Sequence, residues 1–308
     1  MSNGDSEFAL IDWFRQYETD HPRVPVGIGD DAAVVSFPTK QDTLITVDML
    51  IEGVHFTVPP ATARQVGRKV LAVNLSDIAA MAGRPLAAVV SVAASRNRGA
   101  EFVRQLYLGM KNLADRFDVS VVGGDTNVWH APAAVSVTVL GEVTGTRPVC
   151  RRDAQIGDWI FVTGTFGGSL AAKQFEFQPR VKEAIELHQR VNLHAMTDVS
   201  DGLSTDLHNI LDESHVAAVV YEQAIPISDV AKQIQDEKTP LEHALSDGED
   251  FELLFTVTAK DGQSLLESPP FDILLSRIGK IVKGCGCQTQ DAVGNRKELH
   301  RTGWEHKL

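Results

Sequence analysis

The sequence predicts an α/β protein of the mixed α+β kind with two domains, and three observations support this fold class. The chain has 308 residues, which exceeds the usual span of one hydrophobic core. Segments rich in β-branched residues are interspersed with segments of helical period, without the strict alternation of a parallel sheet. Turn formers and basic residues interrupt the apolar pattern at 145–159, so we predict domains at 1–146 and 147–308.

The first half begins with a predicted helix and continues as a mixture of strands and helices. The clearest helix is at 62–81, where Val66, Val70, Val73 and Ile78 recur close to the helical period. The predicted elements are, in order, a helix at 6–17, antiparallel strands at 32–37 and 43–50, the helix at 62–81, a strand at 85–94, a helix at 100–117, and strands at 119–124 and 134–143.

The second half has the same mixed character. Its predicted elements are, in order, a strand at 159–164, a glycine turn, helices to about 193, a helix at 204–214, a strand at 216–221, helical segments near 228 and 240, a strand at 251–257, a helix near 261 and a strand at 271–282.

The charge of the chain excludes two classes of partner. The formal net charge is -12, and no dense run of Lys or Arg compensates for it locally, so neither nucleic acid nor an anionic membrane is expected as a partner. In so acidic a protein, glycine-loop amides, helix N-termini or divalent cations would have to supply the positive charge that binds a phosphate.

The cysteines and the absence of targeting segments indicate the compartment. Three cysteines fit neither a disulfide framework nor a four-ligand zinc site, and no stretch resembles a signal peptide or membrane helix. We therefore expect a cytoplasmic protein.

Carboxylates, in most cases beside glycine, recur at predicted strand ends and turns. They occur in GIGDDAAV (27–34), TVDM (46–49), GGDTN (123–127), DVSDGLSTD (198–206) and SDGEDFEL (246–253). Each motif alone is compatible with a turn or a helix cap. Asp77 differs because it lies inside an apolar helical segment, where its carboxylate needs a partner; a metal-ligand role and a local cap both remain open. Converging carboxylates without His or Cys favour Mg²⁺ or Mn²⁺ over zinc.

Two familiar nucleotide motifs are excluded, and one turn stays open. GIGDDA has an acidic pair where the dinucleotide fingerprint needs its third glycine. GTFGGSL at 164–170 lacks the Lys of a phosphate-binding loop, so an anion site at a helix N-terminus and a plain turn are both compatible with it. His55 follows the TVDM strand and is compatible with either a structural or a functional role.

The ordered set of motifs resembles that of thiamine-monophosphate kinases. The matching segments are GIGDDAAV, TVDMLIEGVHF, NLSDIAAMAG, GGDTN, VTGTFGGSLA, DVSDGLSTDL and SDGEDFELLFT, and the resemblance extends from about residue 6 to Trp304. It implies the fold of the aminoimidazole ribonucleotide synthetase superfamily: an N-terminal domain that forms a dimeric β-barrel, and an α/β C-terminal domain. It also implies a homodimer that binds ATP and thiamine monophosphate.

The resemblance further implies a role for each matching residue. Several Mg²⁺ ions would be held by Asp30, Thr46, the Val47 carbonyl, Asp48, Asp77, Asp125, Asp198 and Asp201. ATP would contact Tyr107, Gly124, Asp125, Arg151 and Ser200, and the thiamine moiety would contact His55, Glu249 and Trp304. The catalytic residues would be Asp125, Arg151 and Asp201.

The sequence departs from the motif series at a few positions. Val47 replaces a frequent Thr, SDG replaces a glycine pair before Glu249, and Asn127 replaces a hydroxyl residue. Without the resemblance, packing of the C-terminal segment is the simpler interpretation of Trp304.

Three alternative functions fit less well. The first 149 residues lack the Cys expected of a selenophosphate synthetase, and the sequence ends EHKL, without the terminal Cys of the hydrogenase maturation factor. The loop spacing of an EF-hand calcium module is also absent.

The implied reaction is direct transfer of the γ-phosphoryl group of ATP to a phosphate monoester. Because that acceptor is already anionic, no general base is needed, and catalysis reduces to alignment and charge neutralisation.

Overall fold

Two β-sheets, one in each half of the chain, organise the protein. The computed structural model describes residues 25–26, 30–31, 33–35, 42–171 and 173–305, so the helix predicted at 6–17 lies outside the described residues. The mixed α/β fold class is confirmed, with sheets of five and seven strands.

The first sheet has the strand order β1-β2-β5-β3-β4. Neighbouring strands are antiparallel except for β3 and β4, which are parallel. The antiparallel pairing predicted for the first two strands is confirmed. The strands are β1 (Ala33–Val35), β2 (Thr43–Ile51), β3 (Gly83–Ser95), β4 (Ser120–Trp129) and β5 (Ala134–Val143).

Two helices, α1 (Ala63–Ala80) and α2 (Gly99–Arg116), accompany this sheet. Thr62 begins α1 with a reciprocal capping box to Gln65, which satisfies amides that would otherwise lack partners. The helices cross closely because glycines lie at the crossing. A Cβ on Gly67 would lie 1.9 Å from the carbonyl oxygen of Leu106, a residue of α2. Helix α1 also packs on β2, β3 and β5 and fixes the inner face of the sheet.

The second sheet has the strand order β12-β11-β8-β10-β6-β9-β7. The sequence did not predict β7, β11 or β12. The strands are β6 (Trp159–Thr163), β7 (Ala195–Asp198), β8 (Ala217–Tyr221), β9 (Leu253–Val257), β10 (Leu275–Val282), β11 (Gly286–Gln290) and β12 (Arg296–Leu299). The helices are α3 (Val181–Arg190), α4 (Leu203–Ser214), α5 (Asp229–Gln233), α6 (Pro240–Ser246) and α7 (Ala259–Glu267).

The hydrophobic core is continuous across the two halves. Helix α1 packs against α3 and β7, and Phe161, Phe251 and Phe255 of the second half share one buried cluster with side chains of the first half. A second cluster lies on the other side of the second sheet, around α4. The boundary between residues 146 and 147 stays a prediction. Within the described part of the chain, no helix is long and apolar enough to cross a membrane.

One face of the first sheet is exposed and apolar. Along β2, Leu44, Thr46 and Leu50 are buried, whereas Val47 and Met49 are more than half exposed. This alternation is expected of a strand with one face against helices. Strand β4 is at the sheet edge and is exposed along almost its whole length. A barrel closed with a second copy stays a prediction.

Candidate active site

A cavity of about 670 Å³ lies where the two halves meet. Its walls come from β2 and the following turn, from α1, and from loops of the second half. Eight of the residues predicted from the sequence line it: Val47, Asp48, His55, Asp77, Ser200, Asp201, Glu249 and Trp304.

Three carboxylates form a cluster beside this cavity. One oxygen from each of Asp31, Asp77 and Asp198 lies within 4.8 Å of the other two. Strand alternation places Thr46 and Asp48 on the face of β2 that meets α1, so both lie near Asp77. The Thr46 hydroxyl donates a hydrogen bond to Asp77, and the Ser76 hydroxyl donates to Asp198 at 2.5 Å.

Burial and mutual repulsion make the cluster costly in its ionised form. Burial, followed by repulsion from the Asp48 carboxylate, raises the pKa of Asp77 well above its ordinary value. The pKa of Asp198 is raised in the same way by burial and by Asp31. Burial raises the pKa of Asp48 to about 6, against the opposing effect of its hydrogen bond with Asp77. A bound cation would relieve these costs.

Arg151 provides a positive charge at one side of the cluster. Its guanidinium Nη2 lies 2.6 Å from Asp31 Oδ1, and its backbone amide donates to Asp30 Oδ2 at 3.0 Å. Burial and repulsion from Asp31 raise the pKa of Asp30 to about 7, against the opposing effect of Arg151. The predicted ligand Asp30 therefore contacts the Arg151 backbone, and the adjacent Asp31 joins the cluster.

The donor atoms of the cluster fit a hard divalent cation. The second oxygen of Asp31, Oδ2, is buried and has no hydrogen-bond partner among the described residues. A buried, unpartnered carboxylate oxygen beside two further carboxylates is an unfavourable arrangement unless a cation binds there. All the donors are oxygens, and oxygen donors are the ligands that Mg²⁺ prefers.

The turn at 198–201 is tied to the other loops that line the cavity. The Glu249 amide donates to the Ser200 carbonyl at 2.7 Å, and the Trp304 amide donates to the Asp201 carbonyl at 2.8 Å. Glu249 and Phe251 have φ values of +58° and +49°, a conformation that non-glycine residues adopt rarely and at some cost in energy. The predicted acceptor residues and the predicted metal residues are thus connected through the backbone.

Three predicted ATP-contacting residues lie elsewhere. Tyr107, Gly124 and Asp125 are not among the described residues that line the cavity or form the cluster. Asp125 lies on β4, three strand positions from β2, which corresponds to about 14 Å along the sheet. Its carboxylate accepts a hydrogen bond from Asn127 at 2.6 Å. One Mg²⁺ ion could not bridge that separation, so the ligand role of Asp125 stays a prediction.

The glycine turn at 164–168 binds carboxylates of the protein itself. The Gly167 amide donates to both Asp250 oxygens at 3.1 Å, and the Gly168 amide donates to Asp247 at 2.9 Å. These amides therefore position the loop that carries Glu249, and this arrangement favours the plain turn over an anion site.

Sequence reasoning missed two residues of the site. Asp31 is adjacent to the predicted Asp30, and Lys69 lies on the apolar side of α1 between Val66 and Val70. A lysine within an apolar helical stripe could have indicated a buried ion pair.

The two domains and their carboxylate site define an AIR synthase related protein. Residues 29–143 match the AIR synthase related protein, N-terminal domain, and residues 155–291 match the AIR synthase related protein, C-terminal domain. The thiamine-monophosphate kinase of Rhodopirellula baltica is 37% identical over 309 residues, covering 97% of both chains. The Bacillus subtilis thiamine-monophosphate kinase is 33% identical, covering 89% of this chain and 91% of the relative.

Solved structures agree with this assignment. "AaThiL complexed with AMPPCP and TMP" has a TM-score of 0.83 at 28% identity and covers 98% of this chain and 97% of that one. The thiamine-monophosphate kinase of Stenotrophomonas maltophilia K279a has a TM-score of 0.74 at 34% identity, covering 92% and 96%. Within the wider class, the chain belongs to the thiamine-monophosphate kinase family.

Proposed function

We propose that this chain transfers the γ-phosphoryl group of ATP to thiamine monophosphate, forming thiamine diphosphate and ADP. The observation that carries the proposal is one cavity that brings Asp77, a member of the carboxylate cluster, together with Glu249 and Trp304. A related structure holds an ATP analogue and TMP, which supports this pair of substrates.

Mg²⁺ is the cofactor that best fits the cluster. Asp31, Asp48, Asp77 and Asp198 would hold it, with the Thr46 hydroxyl and Val47 carbonyl nearby and Asp201 contributing from the second half. When bound, Mg²⁺ neutralises charge on the phosphates and polarises the transferred group.

The protein's own groups would bind and orient the two substrates. Arg151, held by Asp31, would place a positive charge near the phosphates. Ser200, which also lines the cavity, would contact ATP. Glu249 and the face of the Trp304 ring would attract the cationic thiazolium of the acceptor. The catalytic effect of these residues is alignment, because the acceptor oxygen is already ionised.

A homodimer would account for the exposed apolar face of the first sheet. Val47, Met49 and Val89 are each more than 40% exposed, and the strand register places all three on the same face of this sheet. Covering such a face with a second copy would remove it from water. We also propose that the first sheets of the two copies join into one barrel, with Tyr107, Gly124 and Asp125 near the joined edge. A cytoplasmic location is a further part of the proposal.

The assay that tests the proposed function compares two acceptors. The protein is incubated with MgATP and either thiamine monophosphate or thiamine, and the products are separated by chromatography. We expect thiamine diphosphate and ADP in equal amounts from the monophosphate. Thiamine should react at least ~100-fold more slowly, because its hydroxyl must lose a proton to become a strong nucleophile, whereas the monophosphate oxygen is already ionised. Equal rates with both acceptors would contradict this mechanism.

Trp304 should discriminate the acceptor and not the nucleotide. Its side chain is half exposed at the cavity, and an aromatic face contributes about 0.5 to 2 kcal/mol to the binding of a nearby cation. We therefore expect Trp304→Ala to raise KM for thiamine monophosphate by roughly 2- to 30-fold, with little change for ATP. Trp304→Phe serves as the conservative control. A lower Tm with equal effects on both substrates would instead indicate a packing role.

A further inference from the structure

Lys69 is a fully buried cation directly behind the acceptor side of the cavity. It lies on α1, its side chain is 1% exposed, and it is not among the described residues that line the cavity. A buried ammonium is costly unless ion pairs and hydrogen bonds satisfy it. The contacts of the Lys69 ammonium therefore identify the groups that this residue holds in place.

The ammonium contacts three different segments of the chain. Lys69 Nζ lies 2.6 Å from Glu249 Oε2, and it donates to the His55 carbonyl at 3.0 Å and to Gln174 Oε1 at 3.0 Å. It also lies 5.3 Å from the centre of the Phe175 ring. Each of these four partners lines the cavity. Lys69 thus connects α1 in the first half to two loops of the second half.

The burial of Lys69 excludes direct contact with substrate. Its ammonium donates hydrogen bonds to the His55 carbonyl and to Gln174 Oε1, and it forms an ion pair with Glu249 Oε2. Because its side chain is 1% exposed and is not among the described residues that line the cavity, Lys69 acts through the groups that it holds.

The charge on Lys69 also matters for Glu249. The loop that carries Glu249 lies among other carboxylates of the cavity, including Asp48, whose pKa is raised in part by Glu249. Burial raises the pKa of Glu249, and the Lys69 ammonium, 2.6 Å away, opposes that rise and holds the carboxylate in one position. Without that ammonium, repulsion would favour a different position or a protonated Glu249.

We propose that Lys69 is a positioning residue that sets the acceptor specificity of the cavity by holding Glu249, His55 and the 174–175 segment in one arrangement. This inference rests on the proposed function, because it concerns the same cavity. It assigns Lys69 no contact with either substrate.

The test compares steady-state kinetics of wild type, Lys69→Met and Lys182→Met. Lys182 is 83% exposed on α3 and serves as the matched control. We expect Lys69→Met to raise KM for thiamine monophosphate by roughly 10-fold or more, the loss expected when a hydrogen bond to a charged group is misplaced. KM for ATP and kcat should change by less than about 3-fold, since the phosphate side is untouched. Lys182→Met should match wild type.

A double variant keeps the proposal falsifiable where Lys69→Met does not fold. Lys69→Met with Glu249→Gln removes both charges, which a buried pair tolerates better than loss of one. If Lys69 acts through Glu249, the double variant has the same acceptor KM as Glu249→Gln alone. An unchanged acceptor KM in Lys69→Met, equal effects on both substrates, or independent effects in the double variant would each overturn the proposal. Failure of wild type to form thiamine diphosphate would overturn the proposed function and the role of Lys69 with it.

Discussion

Removal of divalent cations with excess EDTA is expected to lower the rate of thiamine diphosphate formation by at least ~1000-fold, and added Mg²⁺ should restore it. Two carboxylates about 4 Å apart repel each other by about 4 kcal/mol at an effective dielectric constant near 20. The oxygens of Asp31, Asp77 and Asp198 lie at about this separation. ATP would add further negative charge, so the cavity cannot hold it without cations. Undiminished activity in EDTA would contradict the assignment of a metal site.

The same cations should change the thermal stability in a pH-dependent way. The pKa values of Asp30 and Asp48 are raised by burial to about 7 and about 6, so the folded protein binds more protons than the unfolded chain. Without metal, stability should therefore fall as the pH rises from about 4 to about 7. Mg²⁺ favours the ionised carboxylates, and it should raise Tm more at pH 8 than at pH 5. An equal Mg²⁺ effect at both values would contradict a carboxylate site.

The periodic elements of the fold were predictable from the sequence. The spacing of Val66, Val70, Val73 and Ile78 predicted α1, and the β-branched segments predicted β1 and β2. Strand β7 was not predictable because its four residues, 195–198, are buried on both faces and show no alternation. Strands β11 and β12 contain Gly, Gln and charged residues, which have low strand propensity. They form because β11 pairs with β8 and β12 pairs with β11, and these contacts between distant segments are not visible in the local sequence.

The site was predictable in composition and less so in geometry. Asp77 lies in α1 and Asp198 lies at the end of β7, and only the packing of α1 on β7 brings them together. Their residue type predicted a metal site, but no spacing in the sequence gives a distance between them. The choice between the adjacent Asp30 and Asp31 depended on local backbone direction, which the motif does not specify. The substrate followed from the family resemblance, since carboxylates alone would fit many phosphate-binding enzymes.

Asp77→Asn is expected to lower kcat by at least ~100-fold while the fold survives, because it removes a charge on a metal ligand without changing the shape of the side chain. The substitution also removes a repulsive charge from the cluster, whose members have raised pKa values. The variant should therefore melt at an equal or higher Tm than wild type in EDTA, and it should gain less stability from Mg²⁺. Asp115→Asn is the matched control, because Asp115 is exposed on α2 and pairs with Lys111. A variant that lost Tm and kept its activity would restore the interpretation of Asp77 as a local structural residue.

Asp125→Asn should lower kcat by a similar ~100-fold if the family resemblance assigns its role correctly, although Asp125 is exposed on β4 and about 14 Å along the sheet from β2. Its carboxylate would then serve a different ion from the one near Asp77. The two Asn variants should also differ in their dependence on Mg²⁺, because they would remove ligands from separate ions. Kinetic titration with Mg²⁺ measures this difference. If Asp77→Asn were inactive and Asp125→Asn retained most of its activity, the reaction would be confined to the cavity between the two halves, and β4 would serve the contact with a second copy alone.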